Sequence, residues 1–230
     1  IFLAVRDVPK GVDTAARDEP LRTITPPDSP LSLGRTLTSS QLILLVAIYG
    51  ICGVQDFFVI THIVAFARDQ GMGAVLAGNM LALMGLMGLL GVLAAGFLAD
   101  AFGAVRPTVI CFIIRIFIFA YIVFDQSTAA IMVFGLAFGF TNLITAPLTV
   151  VFVGNIFGMA RLGTLTGAIV MVHQFAGGFG AYLGAWIFDN RGSYDDAFKL
   201  MLILSLAAVM LTYMVRERPL AGVATSSQPE

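Results

Sequence analysis

The chain has 230 residues, a formal net charge of −1, 58% hydrophobic residues and only 12% charged ones. Soluble domains average about 45–50% apolar and about 25% charged residues, so this composition excludes an ordinary soluble domain and indicates a lipid bilayer as the surroundings. The near-neutral charge gives no sign of a nucleic-acid partner. Cys52 and Cys111 lie in apolar runs without metal-ligand spacing, so we predict no disulfide, no metal and no cofactor.

The first 40 residues are predicted to lie outside the membrane, apart from their very start. Residues 1–5 are apolar but too short to span, and we interpret them as the end of a truncated preceding helix. Residues 6–40 are rich in proline and in charges of both signs, which predicts a flexible cytoplasmic linker. Because the chain opens on Ile1 rather than Met, we interpret it as a fragment.

Six apolar runs follow, each close to the ~20 residues that a transmembrane helix needs. They predict an all-α integral membrane domain over 41–216 and a tail over 217–230. Nine of the thirteen Lys and Arg residues lie on the linker side, which places both ends in the cytoplasm. The runs are 42–66, 75–98, 108–124, 129–153, 163–188 and 197–215.

The first run carries polar residues at membrane depth. Gln55 and His62 are seven residues apart and share a helix face, while Asp56 points about 100° away from Gln55. An ionisable residue inside a span is a functional candidate by default. We predict a substrate role for Gln55 and a proton-coupling role for Asp56 and His62. The alternatives are an interfacial His62 and an Asp56 paired with another polar group.

A tight loop separates the second and third runs, in the order Gly96, Asp100, Gly103, Arg106. The glycines let helices approach and turn the chain, and an aspartate at the membrane edge pairs with a basic group or a helix N-terminus. These residues predict a plain helical connection around a solvated Asp100, and a gating role for the loop is implied only by the family resemblance given below.

Arg115 lies near the middle of the third run, about 13 Å along the helix from Arg106. An arginine there costs several kcal/mol unless it is paired, hydrated or able to reach the interface. One interpretation is that its side chain reaches back to the cytoplasmic surface. The other is that it faces a central cavity and holds a substrate carboxylate through a bidentate fork.

The fourth and fifth runs combine helix-disturbing and polar residues. Pro147 removes a backbone donor and predicts a hinge, and Asn142 is a candidate substrate contact. His173 lies near the midplane, where a group that titrates near physiological pH suits proton coupling, and with Gln174 it is a candidate substrate contact. Two small-xxx-small pairs predict close helix packing: Gly163 with Gly167, and Gly180 with Gly184.

Two long stretches carry a family resemblance. They are TAPLTVVFVGNIFG and RLGTLTGAIVMVHQFAGGFGAYLGAWIFDNRGSYDDAF, which resemble the last two helix pairs of major facilitator superfamily transporters. The nearest branch is the bacterial monocarboxylate-transporter-like and oxalate–formate-antiporter-like one. The resemblance implies six helices forming the C-terminal half of a twelve-helix fold, an absent N-terminal six-helix half as partner, and the bacterial inner membrane.

The resemblance also implies a function, namely secondary transport of small organic anions by alternating access, coupled to protons or to exchange. Other classes fit less well. A six-span channel lacks its Asn-Pro-Ala pairs, and an intramembrane enzyme lacks a nucleophile–base or metal motif, so we predict no enzyme. A six-span scaffold or half-size subunit without transport activity is the remaining alternative.

Overall fold

The computed structural model describes residues 33–217, and this part of the chain is helical. The predictions for residues 1–5, 6–32 and 218–230 lie outside the described residues. Six segments are long and apolar enough to cross a membrane, which confirms the predicted six-span, all-α architecture. The helices are α1 (Leu33–Leu37), α2 (Ser40–Asp69), α3 (Ala74–Phe102), α4 (Val105–Phe124), α5 (Thr128–Asn142), α6 (Thr145–Phe157), α7 (Leu162–Arg191) and α8 (Asp195–Met214).

Local chemistry explains where these helices begin and end. Ser39 and Ser127 precede α2 and α5, and each side chain accepts a hydrogen bond from a backbone amide of the first turn. Gly103, Gly158 and Gly192 end α3, α6 and α7 with positive φ angles of 75°, 76° and 69°, a conformation that glycine adopts without strain.

The fourth span is one transmembrane segment made of two helices, α5 and α6, which are interrupted at Leu143 and Ile144. Pro147 lies in the first turn of α6 and has no N–H to donate to Leu143 four residues earlier. The Leu143 carbonyl instead accepts from the Ala146 amide at 3.3 Å. The helix is therefore interrupted just before Pro147, between α5 and α6.

Two clusters of apolar side chains fill the helix bundle, with a polar layer between them. One surrounds Phe58, Phe119 and Phe198, and the other surrounds Phe112 and Phe152. Along α2, α4, α8 and the fourth span, a buried polar position separates the residues of the two clusters. These positions are Gln55 and Asp56 on α2, Arg115 on α4, Thr141 on α5 and Ser205 on α8.

Helices α2 and α7 pack with their backbones in contact beside this layer. A Cβ atom at Gly53 would collide with the backbone of His173, and one at Gly180 would collide with the backbone of Val54. A Cβ at Gly184 would lie 2.6 Å from the His62 ring. Gly180 and Gly184 therefore lie at the contact between α2 and α7.

The other predicted glycine pair behaves differently. Gly163 and Gly167 are exposed on α7, and a Cβ at either would have no atom within 4 Å in the described part of the chain. The packing expected of this pair is therefore not observed within residues 33–217. The small-xxx-small spacing indicates where helices are able to touch, but the rotation of α7 decides which pair does so.

Candidate functional site

Arg115 forms the centre of the polar layer and is the largest fully buried side chain among the described residues. Its Nε and Nη2 donate to Thr141 Oγ1 (3.3 Å) and Thr141 O (3.1 Å), and its Nη1 donates to Gln55 Oε1 (3.0 Å) and Cys52 Sγ (3.6 Å). The guanidinium also lies 4.7 Å from the centre of the Phe138 ring. Partners inside the fold therefore hold Arg115 in the bilayer, and its side chain does not reach the cytoplasmic surface.

Asp56 supplies the opposite charge. Its Oδ1 lies 2.7 Å from Arg115 Nη2 as an ion pair and makes no other hydrogen bond to residues 33–217. Its Oδ2 accepts from Cys52 Sγ at 3.3 Å and lies 3.2 Å from His173 Nε2. A buried charge is costly unless it is paired, and here Asp56 and Arg115 pair with each other. The Asp56 carboxylate therefore links the fully buried Arg115 to the partly exposed His173.

Of the three residues Arg115, Asp56 and His173, His173 has the most exposed side chain. Its side chain keeps 20% of its surface exposed, whereas that of Arg115 keeps none. Its Nδ1 lies 3.1 Å from Gln174 Oε1, and its ring packs edge-on against Phe57. The backbone contact between α7 and Gly53 places His173 opposite Asp56.

A cavity of about 280 Å³ opens beside Asp56 and His173. Its wall includes the interrupted fourth span, because the residues at the break face the same space as α2 and α7. Arg115 is not part of the wall and lies behind Asp56. The polar lining residues are Tyr49, Asp56, Asn142, Thr145, Thr149, His173 and Gln174.

Four of the predicted substrate or proton residues therefore line one cavity: Asp56, Asn142, His173 and Gln174. Gln55 does not. Its amide group accepts from Arg115 and donates to Met201 O at 2.9 Å and Ser205 Oγ at 2.7 Å, so it joins α2, α4 and α8.

His62 lies away from this cluster, near the opposite end of α2 from Ser39. Its Nε2 lies 2.8 Å from Ala181 O on α7, and its Nδ1 lies 3.3 Å from the Tyr194 hydroxyl. Burial raises the pKa of the Tyr194 phenol, which keeps this partner neutral. His62 is buried and therefore connects α2, α7 and the start of α8.

Sequence reasoning missed Cys52, Tyr49 and Thr145. Cys52 lies one helical turn before Asp56 and directly contacts it, so the i, i+4 spacing was a usable signal. The Tyr49 hydroxyl donates to Thr145 O at 3.0 Å, which satisfies a carbonyl at the break in the fourth span. No local pattern in the sequence connects these two positions.

The loop after α3 has an unforeseen partner. Gly96, Asp100 and Arg106 are exposed, while Gly103 makes the turn. The carboxylate of Glu217, just after α8, accepts hydrogen bonds from the Ala104 and Val105 amides at the start of α4. An acidic group does cap this helix start, but it is Glu217 and not Asp100.

Comparisons with known proteins agree with this architecture. Residues 21–229 match the sequence model of the Major Facilitator Superfamily. The MFS transporter asaE of Aspergillus flavus is 24% identical over 160 residues, which cover 68% of this chain and 36% of that protein. Among solved structures, an auto-inhibited POT family peptide transporter superposes with a TM-score of 0.68 at 18% identity, over 78% of this chain and 38% of that one. The POT family transporter PepTSo gives 0.64 at 16% identity, over 77% and 37%.

These matches settle the family and leave the branch as a prediction. The likeness to the two peptide transporters shows the fold alone, and the chain spans little more than a third of the length of each of these three proteins. The curated relative is fungal, so the bacterial inner membrane also stays a prediction. Since the superfamily's sequence model covers most of the chain, this protein belongs to the major facilitator superfamily.

Proposed function

We propose that this chain forms the C-terminal half of a secondary active transporter that carries a small organic anion together with a proton. The observation that carries the proposal is the placement of Asp56, which is paired with buried Arg115 on one side and reaches cavity-lining His173 on the other. In this proposal an N-terminal half would supply the opposite wall of the cavity, since transporter sites of this kind lie between two repeats near the midplane.

The charges of the cluster explain why proton and anion would move together. With Asp56 ionised, the charge of Arg115 is neutralised inside the chain. A proton accepted by His173 and passed across 3.2 Å to Asp56 Oδ2 neutralises the carboxylate and leaves Arg115 uncompensated. Leaving one partner of a buried ion pair alone costs about 3–5 kcal/mol. An anionic substrate in the cavity offsets this cost, so that each ligand favours binding of the other.

In this account Arg115 acts on the substrate by its charge and not by direct contact in the state described. The lining is largely apolar, and the hydrogen-bonding side chains on it that a substrate could contact include Tyr49, Asn142, Thr145, His173 and Gln174. A volume of about 280 Å³ on this side suits a small molecule. Release of the proton restores the Asp56–Arg115 pair and expels the anion.

The substrate class is tested by uptake into proteoliposomes that contain the complete protein. The probes are radiolabelled formate, oxalate and pyruvate, each compared with the neutral amide of the same acid. We expect uptake of at least one carboxylate and no uptake of its amide, because only an anion compensates Arg115. Equal uptake of an acid and its amide, or uptake of no carboxylate under an inward proton gradient, would contradict the proposal.

A change of His173→Asn is expected to flatten the pH dependence of anion uptake. Asparagine can hydrogen-bond to Asp56 but cannot take up a proton. His62→Asn is the matched control, because His62 lies outside the cluster, and its pH profile should keep the wild-type shape even if the amount of folded protein falls. A wild-type profile in His173→Asn would remove this residue from the proton path.

A further inference from the structure

Three metal-binding atoms of different chemistry meet beside the cavity. Cys52 Sγ lies 3.3 Å from Asp56 Oδ2, which lies 3.2 Å from His173 Nε2, and all three ligand atoms are within 4.8 Å of one another. A thiol, an imidazole and a carboxylate together are a ligand set for zinc and its neighbours among the divalent metals. This ligand set cannot be recognised from the sequence, because two ligands lie on α2 and the third lies on α7, far away along the chain.

The distances fit a metal ion with little movement. Zinc binds sulfur at about 2.3 Å and nitrogen or oxygen at about 2.0–2.2 Å, so tetrahedral ligand atoms lie about 3.3–3.7 Å apart. The two contacts of Asp56 Oδ2 already have almost these lengths. Cys52 and Asp56 are one turn apart on α2, and His173 Nε2 lies within 4.8 Å of Cys52 Sγ, so these two atoms would have to approach each other by roughly 1 Å.

Neighbouring groups orient these ligands. Nδ1 of His173 donates to Gln174 Oε1 at 3.1 Å when the proton is on Nδ1, and this tautomer leaves the Nε2 lone pair directed at Asp56. Arg115 holds Asp56 through Oδ1, and Oδ2 remains for a metal. Such hydrogen bonds behind the ligands are a regular property of metal sites.

The accessibility of these three residues and the net charge around them also suit a zinc ion. Asp56 and His173 line the cavity, and Cys52 lies directly behind them. A zinc ion would displace the thiol proton of Cys52, which leaves through the cavity. Zinc and Arg115 then carry three positive charges against the two negative charges of Cys52 and Asp56. A small anion from the cavity, as the fourth ligand, makes the whole cluster neutral.

We propose that Cys52, Asp56 and His173 bind a zinc ion that enters from the cavity and links α2 to α7. The metal would occupy the same atoms of Asp56 and His173 that are assigned to the coupling proton. Bound zinc therefore blocks transport, and this consequence alone rests on the proposed function.

Cobalt(II) is the probe for this site, because cobalt bound to a thiolate gives a strong near-ultraviolet band that can be titrated. In the complete purified protein we expect one equivalent of cobalt to produce the band and zinc to remove it. Cys52→Ser should abolish the band and weaken cobalt binding by roughly 100-fold or more, since even changes behind a ligand cost 10–100-fold. Cys111→Ser is the matched control, because this second buried thiol donates to Thr141 O and has no such partners in the described part of the chain.

A cobalt band of equal strength in wild type and Cys52→Ser would overturn the site, as would equal loss of the band in Cys111→Ser. Should Cys52→Ser fail to fold, His173→Gln provides the second test, because this half-buried residue can change with less damage; an unaltered cobalt affinity there would equally overturn the site. A Cys52-dependent band in a protein that takes up no anion would support the metal site and overturn the proposed function.

Discussion

Replacing Arg115 with methionine is expected to destabilise the complete protein by about 3–5 kcal/mol, because Asp56 is left ionised and buried without its partner. Methionine keeps most of the side-chain length but none of the donors. Thermal unfolding in detergent, followed by size-exclusion fluorescence, measures this loss. Arg106→Met is the matched control on the same helix, and since Arg106 is exposed we expect a change within about 0.5 kcal/mol.

The double variant Arg115→Met, Asp56→Asn separates pairing from substrate binding. If the two residues stabilise each other, removing both charges should recover most of the stability, while anion uptake stays lost. If Arg115 instead served only as a clamp for substrate, Arg115→Met would unfold at the wild-type temperature and simply fail to transport. That outcome would contradict the ion pair as the reason for an arginine at this depth.

Gly180→Leu is expected to separate α2 from α7 and to abolish both stable folding and uptake. Any Cβ at this position would lie 2.7 Å from Val54 Cα and would also collide with the Val54 carbonyl. Since backbone atoms cannot rotate away as a side chain does, the helices themselves must move. We expect a cost at or above the upper end of the about 1–3 kcal/mol that is usual for overpacking.

The control for this change lies two residues away. Gly178 is on the opposite face of α7 and is exposed, and a Cβ added there would have no atom within 4 Å among residues 33–217. Gly178→Leu should therefore leave the unfolding temperature close to that of the wild type. Equal losses in the two variants would show that the α2–α7 contact is not the cause.

The spans could be predicted from the sequence because each is a long apolar run bounded by turn-forming residues, as at Gly103 and Gly192. The ion pair between buried side chains could not be predicted from the sequence. Asp56 and Arg115 are each unusual at membrane depth, but the sequence contains no record of how α2 and α4 are rotated towards each other. For that reason neither interpretation of Arg115 from the sequence, a side chain that reaches the cytoplasmic surface or one that faces the cavity, included its ion pair with Asp56.

Other differences have equally specific causes. Gln55 and His62 do share a helix face, yet α8 covers the first and α7 the second, so neither lines the cavity. Pro147 does signal a disturbance, but a proline acts on the carbonyl four residues earlier, which moves the break to Leu143. Cys52 shows no metal-ligand spacing along the chain, because its candidate partner His173 comes from a different helix.

In the proposed transporter, proton and anion move together through the Asp56–His173 cluster. The most direct test places the complete protein in proteoliposomes with an entrapped pH-sensitive dye, adds the carboxylate that is transported, and compares the signal with protein-free liposomes. We predict internal acidification that accompanies uptake and disappears in His173→Asn. Uptake of the labelled anion without any change of internal pH would contradict the claim.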